Sequence, residues 1–153
     1  MLKIKHTKGF TLIELLIVVS IIGILTAFFV NTSTINIKRS RDARRKTDLS
    51  AIQSAIETYK ADCNVYPTSM NFGSTLTGDG STANCLSTNK YMTLVPQDPN
   101  SESSYVYWSD GTTYDICSTL EVTDNSMAVT CGSGAGATTN CGSSTCYYEV
   151  TNP

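Results

Sequence analysis

The sequence predicts an α+β chain, with one long N-terminal α-helix packed on a small antiparallel β-sheet head. Three observations predict it. Residues 9–30 are predominantly apolar, with Glu14 their only charge. No proline or glycine interrupts the chain between Ile24 and Cys63. Beyond Pro67 the chain changes to short β-type runs set among Gly, Asn, Asp and Ser.

The apolar run comes first. Phe10 to Val30 is 21 residues, and a helix of that length measures roughly 30 Å, the thickness of a bilayer core. The buried helix of a soluble domain is rarely so uniformly apolar, so a transmembrane segment is expected. A secretory signal has a shorter apolar core followed by small residues at a cleavage site, and no such site follows Val30. Lys3, Lys5 and Lys8 precede the run and hold that end in the cytoplasm, leaving the head outside. Glu14 is costly in such a segment, and an ionisable residue there is a candidate functional site.

Residues 31–63 continue the helix. Asn31-Thr32-Ser33-Thr34 is a weak stretch, because these side chains compete for backbone hydrogen bonds. Leu49, Ile52, Ile56, Tyr59 and Cys63 then recur at helical spacing, an apolar stripe on which a head can pack. A continuous helix from Phe10 to about Asp62 would be roughly 80 Å long. Between the two apolar parts lie Lys38, Arg39, Arg41, Arg44, Arg45 and Lys46, with Asp42 the sole acid among them. The plain reading is a solvated basic face. Contact with lipid phosphates, pairing with acidic groups of adjacent subunits, and DNA binding are the alternatives.

Proline at position 67 is expected to end the helix at Val65-Tyr66, since the residue before proline avoids α geometry. Residues 68–90 read as an exposed loop. Tyr105–Trp108, Thr113–Cys117, Met127–Cys131 and Cys146–Val150 read as strands, with Asp110-Gly111 a hairpin turn between the first two. Residues 132–144, with four glycines, read as a flexible loop. The Tyr and Trp side chains are expected on the face packed against the helix.

Charge and cysteine content narrow the function. Residues 1–59 carry a net charge of +5 and residues 60–153 a net charge of −7. An acidic head argues against a nucleic-acid-binding domain. The six cysteines, Cys63, Cys85, Cys117, Cys131, Cys141 and Cys146, all follow the apolar segment, as a disulfide framework in an oxidising compartment would. Six cysteines allow 15 pairings. Local pairing is favoured: Cys63 with Cys85, Cys117 with Cys131, and Cys141 with Cys146. Zinc sites prefer repeated close cysteine pairs. Only Cys141 and Cys146 come near that spacing, and the sole histidine is His6, so no metal site is expected from the cysteines. No phosphate loop or nucleophile motif is present, and nothing reads as catalytic.

Lys8-Gly9 before Phe10-Thr11-Leu12-Ile13-Glu14-Leu15-Leu16 resembles the processing site of type IV pilins and type II secretion pseudopilins. The resemblance covers the leader, the cut site and the whole apolar run. It implies cleavage after Gly9 by a prepilin peptidase and methylation of the new N-terminal residue, Phe10. Glu14 falls at the family's fifth mature residue, where an assembled neighbour's N-terminal amine would pair with it. One departure is Asn31, which follows Val30 where many relatives have a proline near the end of the run. Residues 48–60 followed by Tyr66-Pro67, and Tyr91–Pro99 with its proline-flanked turn, resemble the head of major pseudopilins. Related heads bind calcium in a late loop. Residues 120–126 lie where that loop would be, and Glu121, Asp124 and Asn125 could offer oxygens.

The resemblance implies a leader at residues 1–9, a transmembrane or filament-core helix at 10–30, its continuation at 31–63, and a disulfide-tied head at 64–153. The expected function is a non-enzymatic structural subunit of a type IV pilus or a type II secretion-like pseudopilus. Its partners would be copies of itself, the prepilin peptidase, the assembly machinery and membrane lipid. The alternatives are a membrane-anchored binding protein that does not polymerise, and a minor pilin of DNA uptake.

Overall fold

The structure is a computed structural model that describes residues 9–123 and 127–152, with the backbone alone at 28–33 and 135. The leader lysines, Asp124 and Asn125 lie outside the described residues. The chain divides into two compact units between Ile37 and Lys38. Helix α1, Leu12–Cys63, runs through both.

In the first unit the apolar side chains up to Leu25 are exposed, among them Ile13, Leu16, Ile17 and Ile21. Two hydroxyls there are satisfied within the helix itself. The Ser20 hydroxyl donates to the Ile17 carbonyl at 2.8 Å, and that of Thr26 to the Ile22 carbonyl at 2.6 Å. Such back-bonding removes the cost of an unmet hydroxyl in an apolar setting. Among the described residues no helix is long and apolar enough to cross a membrane; the described side chains of the apolar run end at Ala27.

In the second unit the stripe Leu49, Ile52, Ala55, Ile56, Tyr59 and Cys63 is buried against Tyr66, Leu76, Cys85, Val95, Tyr105, Tyr114 and Ile116. The head is built from short antiparallel strands. β1 (Leu76–Thr77) pairs with β2 (Lys90–Met92). β3 (Val106–Ser109), β4 (Tyr114–Ser118) and the late strand Tyr148–Thr151 form a three-stranded sheet with β4 central. A 3₁₀ turn, Gly134–Gly136, precedes a small hairpin of β5 (Asn140–Cys141) and β6 (Ser144–Thr145), which makes the late strand β7.

Sheet tyrosines fix the sheet to the helix. Tyr105 donates its hydroxyl to Asp48 at 2.8 Å, Tyr114 to Glu57 at 2.9 Å, and Tyr91 to Asp62 at 3.1 Å. Tyr105 and Tyr114 bury their aromatic bodies, Tyr91 is half-buried, and each polar tip keeps a charge-assisted partner.

The structure corrects several local expectations. Helix α1 ends at Cys63, the bound expected for it, and Asn64 rather than the proline caps it. Asn64 adopts φ 64°, the left-handed conformation of a helix C-cap, and its N–H donates to the Lys60 carbonyl at 2.8 Å. Pro67 instead lends its carbonyl to the Tyr107 hydroxyl at 2.6 Å. Residues 68–90 are not all loop, since β1 lies within them. The described residues Met127–Thr130 are not a strand. β7 occupies the β4 edge, with Ile116 opposite Val150, so this segment makes only point contacts: Val129 N–H to the Cys146 carbonyl, and a bridge from Cys131 to Thr138. Residues 132–144 hold the 3₁₀ turn, β5 and the first residue of β6. Trp108 lies not on the helix but against this glycine-rich turn. A Cβ added to Gly132, at φ 85°, would sit 2.5 Å from Trp108 Cγ, so only glycine fits beneath the indole.

The Asp110-Gly111 turn does join β3 to β4. Asp110 Oδ1 accepts the N–H groups of Thr112 and Thr113, both at 2.8 Å, and the Thr112 hydroxyl at 2.7 Å. These bonds, those from Thr113 foremost, hold its carboxyl well below the usual carboxylate range.

Candidate functional site

The start of α1 carries the residues singled out in the sequence. Phe10 is 78% exposed. Among the described residues a Cβ at Gly9 would meet no atom within 4 Å. Glu14 does have a local partner, and that partner is Thr11. The Thr11 N–H donates to Glu14 Oε2 at 3.0 Å, its hydroxyl donates to the same oxygen at 2.7 Å, and the Glu14 N–H donates back to the Thr11 hydroxyl at 3.3 Å. This is a capping box, and it satisfies backbone groups that a helix start otherwise leaves open. The signal was in the sequence as Thr11-x-x-Glu14, ahead of an apolar run.

The basic segment of α1 departs from a solvated face. Lys38, Arg39, Arg44 and Lys46 are exposed, but Arg45 is fully buried. Its Nε donates to Asp98 Oδ2 and its Nη2 to Asp98 Oδ1, both at 2.9 Å; its Nη1 donates to Asp42 Oδ1 at 2.7 Å and to Glu121 Oε1 at 3.1 Å. Arg41 Nε donates to Glu121 Oε1 at 2.6 Å. Burial opposes the charge on Arg45, yet the three carboxylates outweigh it and hold its pKa above the ordinary value. The hydrogen bond from Arg41, aided by Arg45, holds Glu121 below the usual carboxylate range. Asp42 accepts the backbone N–H groups of Glu121 and Val122 at 3.0 and 2.9 Å, and so pins the start of the late loop to the helix. Two of the six basic residues therefore serve the head's own core. The pairing in the basic run gave no hint of this, because Asp98 and Glu121 lie 53 and 76 residues away from Arg45.

The same contacts test the expected calcium loop. Glu121 already accepts from two arginines, and Asp124 and Asn125 lie outside the described residues. Both carboxylate oxygens of Glu121 are thus engaged by arginine donors. Among the described residues, Cys63, Asp79 and Cys85 place potential ligand atoms together, but both sulfurs are spent in a disulfide.

The disulfides join Cys63 to Cys85, Cys117 to Cys131, and Cys141 to Cys146, and no described cysteine is free. The first closes the loop that follows α1. The other two pack on each other as a second small core with Val106 and Val129.

A long helix with an exposed apolar beginning, a capped glutamate in its first turn, and a small antiparallel head define a pilin-like protein. The family "Type II secretion system (T2SS), protein G" matches residues 33–126, and the "Prokaryotic N-terminal methylation motif" matches residues 4–30. The type II secretion system core protein G of Vibrio cholerae is 40% identical over 68 residues, covering 44% of this chain and 47% of that protein. The core protein G of Pseudomonas aeruginosa is 32% identical over 112 residues, covering 71% and 78%. That of Aeromonas hydrophila is 30% identical over 98 residues, covering 62% and 68%. No solved structure matches the chain. The match thus spans about half of the Vibrio cholerae protein and more of the others. The chain belongs to the protein G family of type II secretion, the major pseudopilins, which are structural proteins and not enzymes.

Proposed function

We propose that this chain is the repeating subunit of a type II secretion pseudopilus. The precursor sits in the inner membrane as a single span with its N-terminus in the cytoplasm and its head in the periplasm. A prepilin peptidase cuts between Gly9 and Phe10 and methylates the Phe10 amine. Secretion machinery then lifts the subunit from the bilayer, and the apolar helix joins those of other copies in the filament core. The observation that carries this reading is the start of α1, where a methylation motif with a freely accessible Gly9 leads into an exposed apolar helix bearing one carboxylate.

Glu14 has two roles in this scheme. In the free subunit the Thr11 hydroxyl and N–H satisfy it. In the filament the Phe10 amine of a neighbouring copy supplies a full positive charge. A paired carboxylate is far less costly in an apolar core than a bare one, so the pairing favours extraction and sets the stagger between copies.

The test combines mass analysis of the mature protein with cross-linking in the membrane. A chain starting at Phe10 with one added methyl is expected, together with a ladder of cross-linked copies. Glu14→Ala is expected to keep the protein in the membrane and lose the ladder. A mature chain still starting at Met1, or a Glu14→Ala ladder equal to the wild type, overturns the proposal.

A further inference from the structure

The head does not consume every cation of the basic segment. Lys38, Arg39 and Lys46 are exposed, and among the described residues none has a carboxylate within salt-bridge distance. Arg39 and Lys46 stand seven residues apart, two helical turns, and so share one face of α1. Between that face and the segment after β4 lies an open cleft of about 290 Å³. Arg39, Ala43 and Lys46 line it from the helix, and Leu120 and Val122 from the other segment. We propose that this cleft binds the headgroup of an anionic membrane lipid, with the phosphate held by Arg39 and Lys46 and the glycerol carbons laid on Ala43, Leu120 and Val122.

The chemistry of the cleft selects that occupant. The one acid among its lining residues, Asp42, is buried and already accepts from Arg45 and from the Glu121 and Val122 N–H groups. The charge offered to solvent is therefore positive. The Lys46 ammonium lies 5.5 Å from the centre of the Tyr148 ring, which steadies it without neutralising it. Leu120 and Val122 are half-buried, so apolar carbon stays open beside the cations. Two cations next to a small apolar surface suit a phosphate on a glycerol stem better than a bare anion. In the chain, Arg39 falls nine residues beyond Val30, the end of the apolar run. Basic residues close to a membrane segment attract anionic lipid, and their long stems reach toward the interface. The head of a neighbouring copy is a poorer partner. Of its exposed carboxylates among the described residues, Asp79 accepts the Ser81 N–H and Asp110 the N–H groups of Thr112 and Thr113, which leaves Glu102 alone. The lipid site presupposes the membrane span proposed above, but neither cleavage nor polymerisation.

The test is native mass spectrometry of the full-length chain in detergent, with phosphatidylglycerol and phosphatidylcholine added in equal amounts. Both lipids carry a phosphate, but only the first is a net anion. Preferential retention of phosphatidylglycerol is expected, and Arg39→Gln and Lys46→Gln should each weaken that preference about fivefold. Both residues are exposed, so the variants are expected to melt with the wild type. They keep Lys3, Lys5 and Lys8 of the leader, so a loss reports the cleft. Lys38→Gln, outside the cleft, should leave the preference near the wild-type value. Equal retention of the two lipids overturns the proposal. So does a loss from Lys38→Gln as large as that from Arg39→Gln, which would mean diffuse attraction to basic charge. If Arg39→Gln and Lys46→Gln leave the lipid preference intact and remove the ladder of cross-linked copies, the cleft holds a second copy and the lipid site is overturned. A chain that keeps the preference but forms no ladder supports the lipid site and counts against the pseudopilus subunit alone.

Discussion

Arg45 grips Asp98 with both arms of its fork, Nε and Nη2 each 2.9 Å from a different carboxylate oxygen, and both side chains are withdrawn from solvent. This bidentate pair joins the middle of α1 to the segment that leads into β3. Removing one partner leaves the other charge buried and unmatched. Asp98→Ala is therefore expected to cost about 3–5 kcal/mol, read as a fall in the denaturation free energy of the full-length chain in detergent. Arg44→Ala, which removes an exposed i,i+4 partner of Asp48, should cost less than about 1 kcal/mol. Equal effects from the two would mean that the buried network contributes no more than a surface pair.

The three disulfides should differ in strength by the loops they close. The Cys63–Cys85 pair spans a separation of 22 residues and Cys141–Cys146 one of only 5. Chain entropy favours the longer loop by about 1.3 kcal/mol. Replacing Cys63 and Cys85 by serine is thus expected to lower stability more than replacing Cys141 and Cys146. The comparison needs only two double variants and one denaturation curve for each. The reverse order would show that the second small core of cysteines, rather than loop closure, dominates.

Stability should fall at both ends of the pH scale for identifiable reasons. Burial pushes the Tyr107 hydroxyl up to about 12, and burial with Asp79 nearby does the same for Tyr59. A folded pKa above the unfolded value of about 10 gives stability that is present below about pH 10 and is lost as pH rises through the folded value. Glu121 runs the other way. Its folded pKa is depressed by Arg41 first, so its contribution is present above the unfolded carboxylate value of about 4.3 and is lost as pH falls through the folded value. Tyr107→Phe should lessen the alkaline loss, and Glu121→Gln should flatten the acid limb. Denaturation free energies across the pH range check both.

Gly132→Ala places a methyl 2.5 Å from Trp108 Cγ at a backbone φ of 85°. The indole must move or the turn must change its conformation, at a cost of about 1–3 kcal/mol. Trp108 is the only tryptophan, so its emission reports this site alone. A shift in emission maximum is expected for Gly132→Ala and none for Gly80→Ala, where an added Cβ meets nothing within 4 Å. An unshifted Gly132→Ala spectrum would place the indole elsewhere.

Much of this protein is determined within short stretches of its sequence. Periodicity from Leu49 to Cys63 specified the buried face of α1, because every third or fourth residue returns to one side of a helix. Asp110-Gly111 specified the β3–β4 hairpin through side-chain bonds to the next two amides. Thr11-x-x-Glu14 specified the capped start of the helix, and the same residues carry the methylation motif. These signals are local, and a local pattern can be read without knowing the fold.

Tertiary structure decided what depends on partners distant in the chain. A run of basic residues cannot show which members are buried; Arg45 became a core residue only because the fold brings Asp98 and Glu121 to it. Met127–Thr130 has a strand-like composition, yet β7 had taken the sheet edge it would need. The helix stopped at Asn64 rather than at the proline, since a left-handed residue lets the chain turn back so that Tyr66 can pack on Tyr114, ring centres 4.6 Å apart. In each case pairing with a remote segment outweighed local preference, because burying charge or apolar surface is worth more than the few tenths of a kcal/mol that separate most local choices.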